Sequence, residues 1–245
     1  MTARRLLPVI AAAMMLTISP APASQDIEDM YPGSVLYSKP VEVIPGIFSA
    51  IGATAPPGQA NAGHNNNLSF IVTGDGVIVI NGGACAKLAA ALHDEIRKVT
   101  AEPVKLVINE NGQGHAMLGN SYWADQGVPI LAHADAAAET AAHGHEILAS
   151  MQRYNGDLAE GTRVVAPTIT FEDRYEIDMG RFRIEVLHLG PAHSPGDIQV
   201  WIPQEKLVIA GDIAFHERML PIFDDTITKD WIETWDTEFE KLGAL

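Results

Sequence analysis

Apolar and polar positions along this chain fall in short blocks whose period changes several times. Residues 69–72 (Ser-Phe-Ile-Val) and 77–80 (Val-Ile-Val-Ile) flank Thr73-Gly74-Asp75-Gly76. That pattern predicts a β-hairpin turned by its two glycines. Asn81-Gly82-Gly83 then breaks the strand. Over 84–99, Leu88, Ala91, Leu92, Ile96 and Val99 recur at three- and four-residue steps, which predicts a helix with one apolar face. Residues 104–108 and 129–132 are short apolar runs, the kind buried on both faces of a sheet. A second helix is expected over 135–151. Strands are expected at 169–171, 174–177, 182–189, 199–202 and 207–209, and a last helix over about 229–242. The chain is therefore α/β (α+β), with helices between the strands of its first half and hairpins in its second.

Residues 1–23 break this rhythm. Arg4 and Arg5 precede an apolar run over 6–18, and Ala21-Pro22-Ala23 follows it. A basic start, an apolar core too short for a comfortable membrane span and a small-residue site predict a secretory signal peptide. Residues 24–45, with Pro32, Pro40 and Pro45, read as a leader, and residues 46–245 as the folded domain. The expected location is periplasmic or secreted, with no membrane attachment after cleavage.

Composition narrows the partners. Sixteen Lys+Arg against 31 Asp+Glu give a formal net charge of -15. An acidic surface disfavours nucleic acid, which needs basic residues, and leaves a small molecule as the expected ligand or substrate. The single cysteine, Cys85, excludes an intrachain disulfide and reads as packed and inert.

Nine histidines invite a metal. His93 reads as solvated on the first helix. His143 and His145, two apart on a helix, point to different sides and do not share an ion. His133 reads as a scaffold residue behind its strand. Two polar tips after apolar strands carry more information. The first runs from Asn109 through Glu110, Asn111, Gln113 and His115 to Asn120. The second holds His193-Ser194-Pro195-Gly196-Asp197, followed by Ala210-Gly211-Asp212. In α/β folds ligands gather at such strand ends. His193 and Asp212 are metal-ligand types.

His-Ser-Pro-Gly-Asp at 193–197 with Ala-Gly-Asp at 210–212 resembles the metallo-β-lactamase superfamily. Asn81-Gly82-Gly83 after its strand, and Leu118-Gly119-Asn120, sit where other landmarks of that family sit. The resemblance spans roughly residues 40–242. It implies a four-layer αββα sandwich with one or two metals between the edges of its sheets. It further implies hydrolysis of a small ester, thioester or amide.

The family signature His-x-His-x-Asp-His is replaced here by Asn111, Gln113, His115 and Ala116. Amide oxygens are poor zinc ligands and alanine donates nothing, so a di-zinc centre is not expected. What the resemblance leaves is His115, His193 and Asp212 around one ion at most, zinc, iron or manganese, with Asn111 and Gln113 as vestiges. His64, Asn81 and His216 are expected to line the pocket, and Asp197 to stabilise its turn. The alternative is a site without metal, in a non-catalytic module that binds a small molecule or a protein. The family's Pro-Gly-His-Gly turn would follow the last helix, so the C-terminal part of the fold is expected to be missing.

Overall fold

The computed structural model describes residues 31 and 33–244; the expected signal peptide lies outside them. Seven strands form one sheet in sequence order: β1 (Val41–Ile44), β2 (Ile47–Ala50), β3 (Leu68–Val72), β4 (Val77–Ile80), β5 (Val104–Ile108), β6 (Ile130–His133) and β7 (Ile169–Phe171). β1 to β4 pair antiparallel and β4 to β7 parallel. Helices α1 (Ala86–Val99), α2 (Gly114–Met117), α3 (Asn120–Asp125) and α4 (Ala134–Asn155) make the crossovers. The second sheet is antiparallel, with β8 (Arg174–Met179), β9 (Phe182–Leu187), β10 (Gln199–Ile202) and β11 (Leu207–Ile209) in the order β11-β10-β9-β8.

The strand pattern explains the layering. β4 is buried on both faces, as its unbroken Val-Ile-Val-Ile run predicts. Ile78 and Ile80 face the second sheet and pack with Ile184, Val186 and Val200. Val77 and Val79 face the helices and pack with Leu88, Leu92, Ile96 and Trp123. The hairpin turn follows the sequence reading, with Gly74 and Gly76 at φ 91° and 122°. On the outer face of the second sheet, Arg174 and Arg183 pair with Glu176 and Glu185. The mixed α/β architecture of two facing sheets with helices is the one expected.

Three readings change. The segment assigned to a leader carries β1 and buries Leu36 in the main core, so the fold begins before residue 46. α4 runs on to Asn155. The last helix is broken into α5 (Thr228–Thr234), a π-turn over Trp235–Phe239 and a 3₁₀ turn over Glu240–Leu242. Trp231 anchors this segment to Ala192 and Ile213, beyond the carboxyl ends of β9 and β11. No described helix is long and apolar enough to cross a membrane.

Candidate metal centre and cleft

The two sheets meet where the carboxyl ends of β5, β9 and β11 converge. A backbone bond from Ile198 N–H to the Glu110 carbonyl (2.8 Å) ties the start of β10 to the end of β5. Asn81, at φ 70°, accepts the Glu110 N–H with its side-chain oxygen (3.0 Å). Glu110 is thereby fixed on both sides of its peptide, and its buried carboxylate turns into the junction.

There it meets His115, on the single turn of α2. His115 Nε2 lies 2.9 Å from Glu110 Oε1 and 3.5 Å from Asp212 Oδ2. The His115 and Asp212 side chains are only 14% and 16% exposed. Asn111 spans the same gap from the other side. Its Nδ2 donates to Asp197 Oδ1 (2.9 Å) and Asp212 Oδ2 (3.1 Å), and its Oδ1 accepts the Gln113 N–H (3.0 Å). Asp197 also accepts from the Ser194 N–H (2.7 Å) and hydroxyl (2.9 Å), the turn-stabilising role its sequence position implies.

Two buried carboxylates, Glu110 and Asp197, the largely covered Asp212 and one imidazole shift one another's protonation. Burial works against a charge on His115. Asp212 and Glu110 outweigh it, and the imidazole keeps its proton to about 9. Burial raises Asp212 above the ordinary carboxylate range, with Glu110 adding to the effect. Burial and the neighbouring Asp212 push Asp197 up to about 8.

Such a half-closed cluster of carboxylates and an imidazole offers the donor types that a cation takes, once it displaces their protons. One oxygen of Glu110, one nitrogen of His115 and one oxygen of Asp212 lie within 4.8 Å of one another. Ligand bonds of about 2.0–2.2 Å let a single ion touch all three after small shifts. Two oxygens and one nitrogen fit borderline and hard divalent ions, zinc, iron or manganese among them. A di-zinc centre does not fit: Asn111 turns its amide nitrogen toward the carboxylates, and Ala116 is buried and apolar.

The expected ligand set is therefore altered. His115 and Asp212 come together, but their third partner is Glu110, not His193. His193 is 1% exposed and sits among Phe215, Phe223 and Trp231, with ring centroids 5.0–5.8 Å away. Its Nδ1 has no hydrogen-bond partner, and burial keeps the ring from charging. Asn111 is a hydrogen-bond donor to the carboxylates, not a vestigial ligand. Asn81 supports the Glu110 backbone and does not line the cleft. His64 is fully buried away from the cleft: its Nδ1 accepts the Tyr37 N–H (2.9 Å) and its Nε2 bonds the Ala50 carbonyl (3.2 Å). Gln113 and the exposed His216 do line the cleft.

The other histidines divide. His93 is half-buried against Tyr122 and Trp123 and bonds the Tyr122 hydroxyl (2.8 Å), so it is packed, not solvated. His133 caps α4, stacks on His188 at 3.9 Å and is the scaffold residue expected. His143 is exposed but faces the cleft. Cys85 is buried, and burial raises its thiol pKa, as its inert reading implies. Glu110 was not singled out as a ligand in the sequence. Its signal there is an acidic residue at the end of a buried strand, one position before the aligned signature.

The cleft has a volume of about 950 Å³ and is roofed by the loop after β11. Comparison with known proteins agrees with this geometry. The model of the metallo-beta-lactamase superfamily matches residues 117–241, beginning just past the altered signature. Among solved structures, a metallo-beta-lactamase from Pontibacter korlensis is similar, with TM-score 0.66 and 16% identity over 83% of this chain and 85% of that one. Metallo-beta-lactamase IND-7 gives TM-score 0.60 and 18% identity over 73% and 74%. TMB-1 gives 0.64 and 15% over 83% and 84%. The chain belongs to the metallo-beta-lactamase superfamily.

Proposed function

We propose that this chain is an exported, hydrolase-like protein whose working centre is a single divalent cation held by Glu110, His115 and Asp212. The observation that carries this reading is the convergence of those three ligand atoms within 4.8 Å at the base of the cleft. The substrate proposed is a small ester, thioester or amide. A divalent ion bound there supplies Lewis-acid polarisation of the carbonyl and activation of water. The protein's own groups do the rest. Asn111 holds Asp212 and Asp197 in place through its amide protons. His193, kept neutral by burial, stands in the cleft wall with its Nδ1 unpaired. Export rests on the pattern of residues 1–23.

A second reading, a metal-free binding module, draws on one specific observation. His115 and Asn111 already direct donors at all three carboxylates. The test is elemental analysis of the purified chain, followed by titration with zinc, manganese and iron(II). One ion per chain, retained through dialysis, supports the proposal. No uptake of any of the three ions selects the binding module.

A further inference from the structure

We infer that the cleft accepts an elongated apolar molecule carrying no anionic group. This deepens the function proposed above and rests on it for the site, though not for the metal. Exposed apolar side chains gather at the cleft's mouth. Val43 (55% exposed), Tyr154 (54%) and Phe223 (52%) stand on β1, α4 and the loop after β11, and all line the cleft. Deeper in, Ile47, Ile147 and Ile209 continue the apolar wall. Large apolar side chains left open to water around a concavity of this size mark a ligand-binding surface.

Charge selects further. Glu110, Glu146, Asp212 and Glu217 line the cleft against one guanidinium, Arg218. That group is engaged: Nη1 donates to the Asn65 carbonyl (2.8 Å), and the guanidinium carbon lies 6.0 Å from the Phe215 ring centroid. With a proton on His115, the lining is net negative. With a divalent ion in place of that proton, it remains so. A carboxylate, sulfate or phosphate on the ligand would meet repulsion strengthened by the low dielectric of the cleft. An uncharged or ammonium-bearing chain would not. Among the described residues, His193 Nδ1 and the Asn66 side-chain amide belong to the cleft lining and have no hydrogen-bond partner, which likewise favours a polar but uncharged group on the ligand, such as an amide.

The test uses three matched probes on the purified chain: N-phenyloctanamide and its versions ending in a carboxylate or an ammonium group. Affinities are measured by calorimetry with chelator present and again after zinc is added. The neutral and ammonium probes are expected to bind at least about ten-fold more tightly than the carboxylate probe, a gap that added salt narrows. Phe223→Ser, at an exposed position, should weaken all three. Glu146→Gln with Glu217→Gln should shrink the gap. A carboxylate probe that binds as tightly as the neutral one overturns the inference, as does failure of all three to bind. Binding of the neutral probe to a chain that takes up no metal sinks the metal reading and leaves this one standing. Metal uptake with a preference for the carboxylate probe does the reverse.

Discussion

His115 Nε2 lies 2.9 Å from Glu110 Oε1, a pairing between the end of β5 and the first turn of α2 that the family signature does not contain. It makes Glu110 the residue on which cation uptake should depend. Glu110→Gln removes one of three ligands and leaves an amide in its place. Zinc or manganese affinity is expected to fall by at least about 100-fold, at or beyond the upper end for residues that only support a ligand. His193→Ala should cost under about ten-fold, because His193 stands outside the ligand cluster. Calorimetric titration of both variants decides it. A larger loss from His193→Ala than from Glu110→Gln would restore the ligand set first expected from the sequence.

The same pairing sets a pH dependence. Without a metal, His115 holds its proton to about 9, and an imidazole must be neutral to bind an ion. Each ion bound near neutral pH therefore displaces that proton. Affinity should rise about ten-fold per pH unit from about pH 6.5 toward 9. Titrations in buffers of different ionisation enthalpy should count at least one proton released at pH 7. Uptake that is flat with pH and releases no proton would contradict the assignment.

Most of the scaffold was legible because local pattern and tertiary burial agree there. The paired strands β3 and β4 of the hairpin at 68–80 are apolar runs that stay buried in the fold, and β5 and β9 keep most of their apolar positions inside. The site was less legible because its decisive contacts join distant residues. His64 lies on a polar, Gly-containing loop, yet Tyr37 and Ala50, 27 and 14 positions away, take both of its nitrogens. Asn111 aligns with a metal ligand, but Asp197 and Asp212, 86 and 101 positions away, make it a donor. Glu110 faces the site because Asn81 and Ile198 clamp its peptide, which no nearby residue foretells.

His64 gives a prediction about acid. Burial lowers its pKa from 6.5 to about 4, so the unfolded chain takes up the proton first as pH falls. Its stabilising effect is fully present above about pH 6.5 and fades toward pH 4. His64→Phe strands the Tyr37 N–H and the Ala50 carbonyl, at about 1–3 kcal/mol each. It should therefore be clearly less stable than the parent at pH 7. That deficit should shrink by about 3 kcal/mol on going to pH 4, as the parent loses its advantage. Urea unfolding of both chains across this range is the measurement. A deficit that stays constant with pH would mean that His64 titrates normally in the fold.

Gly119 links the scaffold to the site. A Cβ there would stand 1.9 Å from the Gly82 carbonyl oxygen and 2.5 Å from its carbon, so backbone meets backbone. The β4 end cannot easily retreat: Asn81 N–H bonds the Ile108 carbonyl (2.7 Å), and Gly82 N–H bonds the Ala116 carbonyl (2.7 Å). The contact is tight from both sides, since Gly119 N–H itself donates to the Gly83 carbonyl at 2.6 Å. Gly119→Ala must therefore displace the α2–α3 segment that carries His115. The expected cost is about 1–3 kcal/mol, in the range of an overpacked core. It should appear as a lower urea midpoint at unchanged slope. Because His115 moves with α2, cation affinity should fall in the same variant. Gly127→Ala, at a turn where an added Cβ meets nothing within 4 Å, is the control: its φ of 74° adds local strain, but cation affinity should be untouched. An unchanged midpoint in Gly119→Ala would show that α2 shifts freely, and with it that His115 is not held where the centre requires.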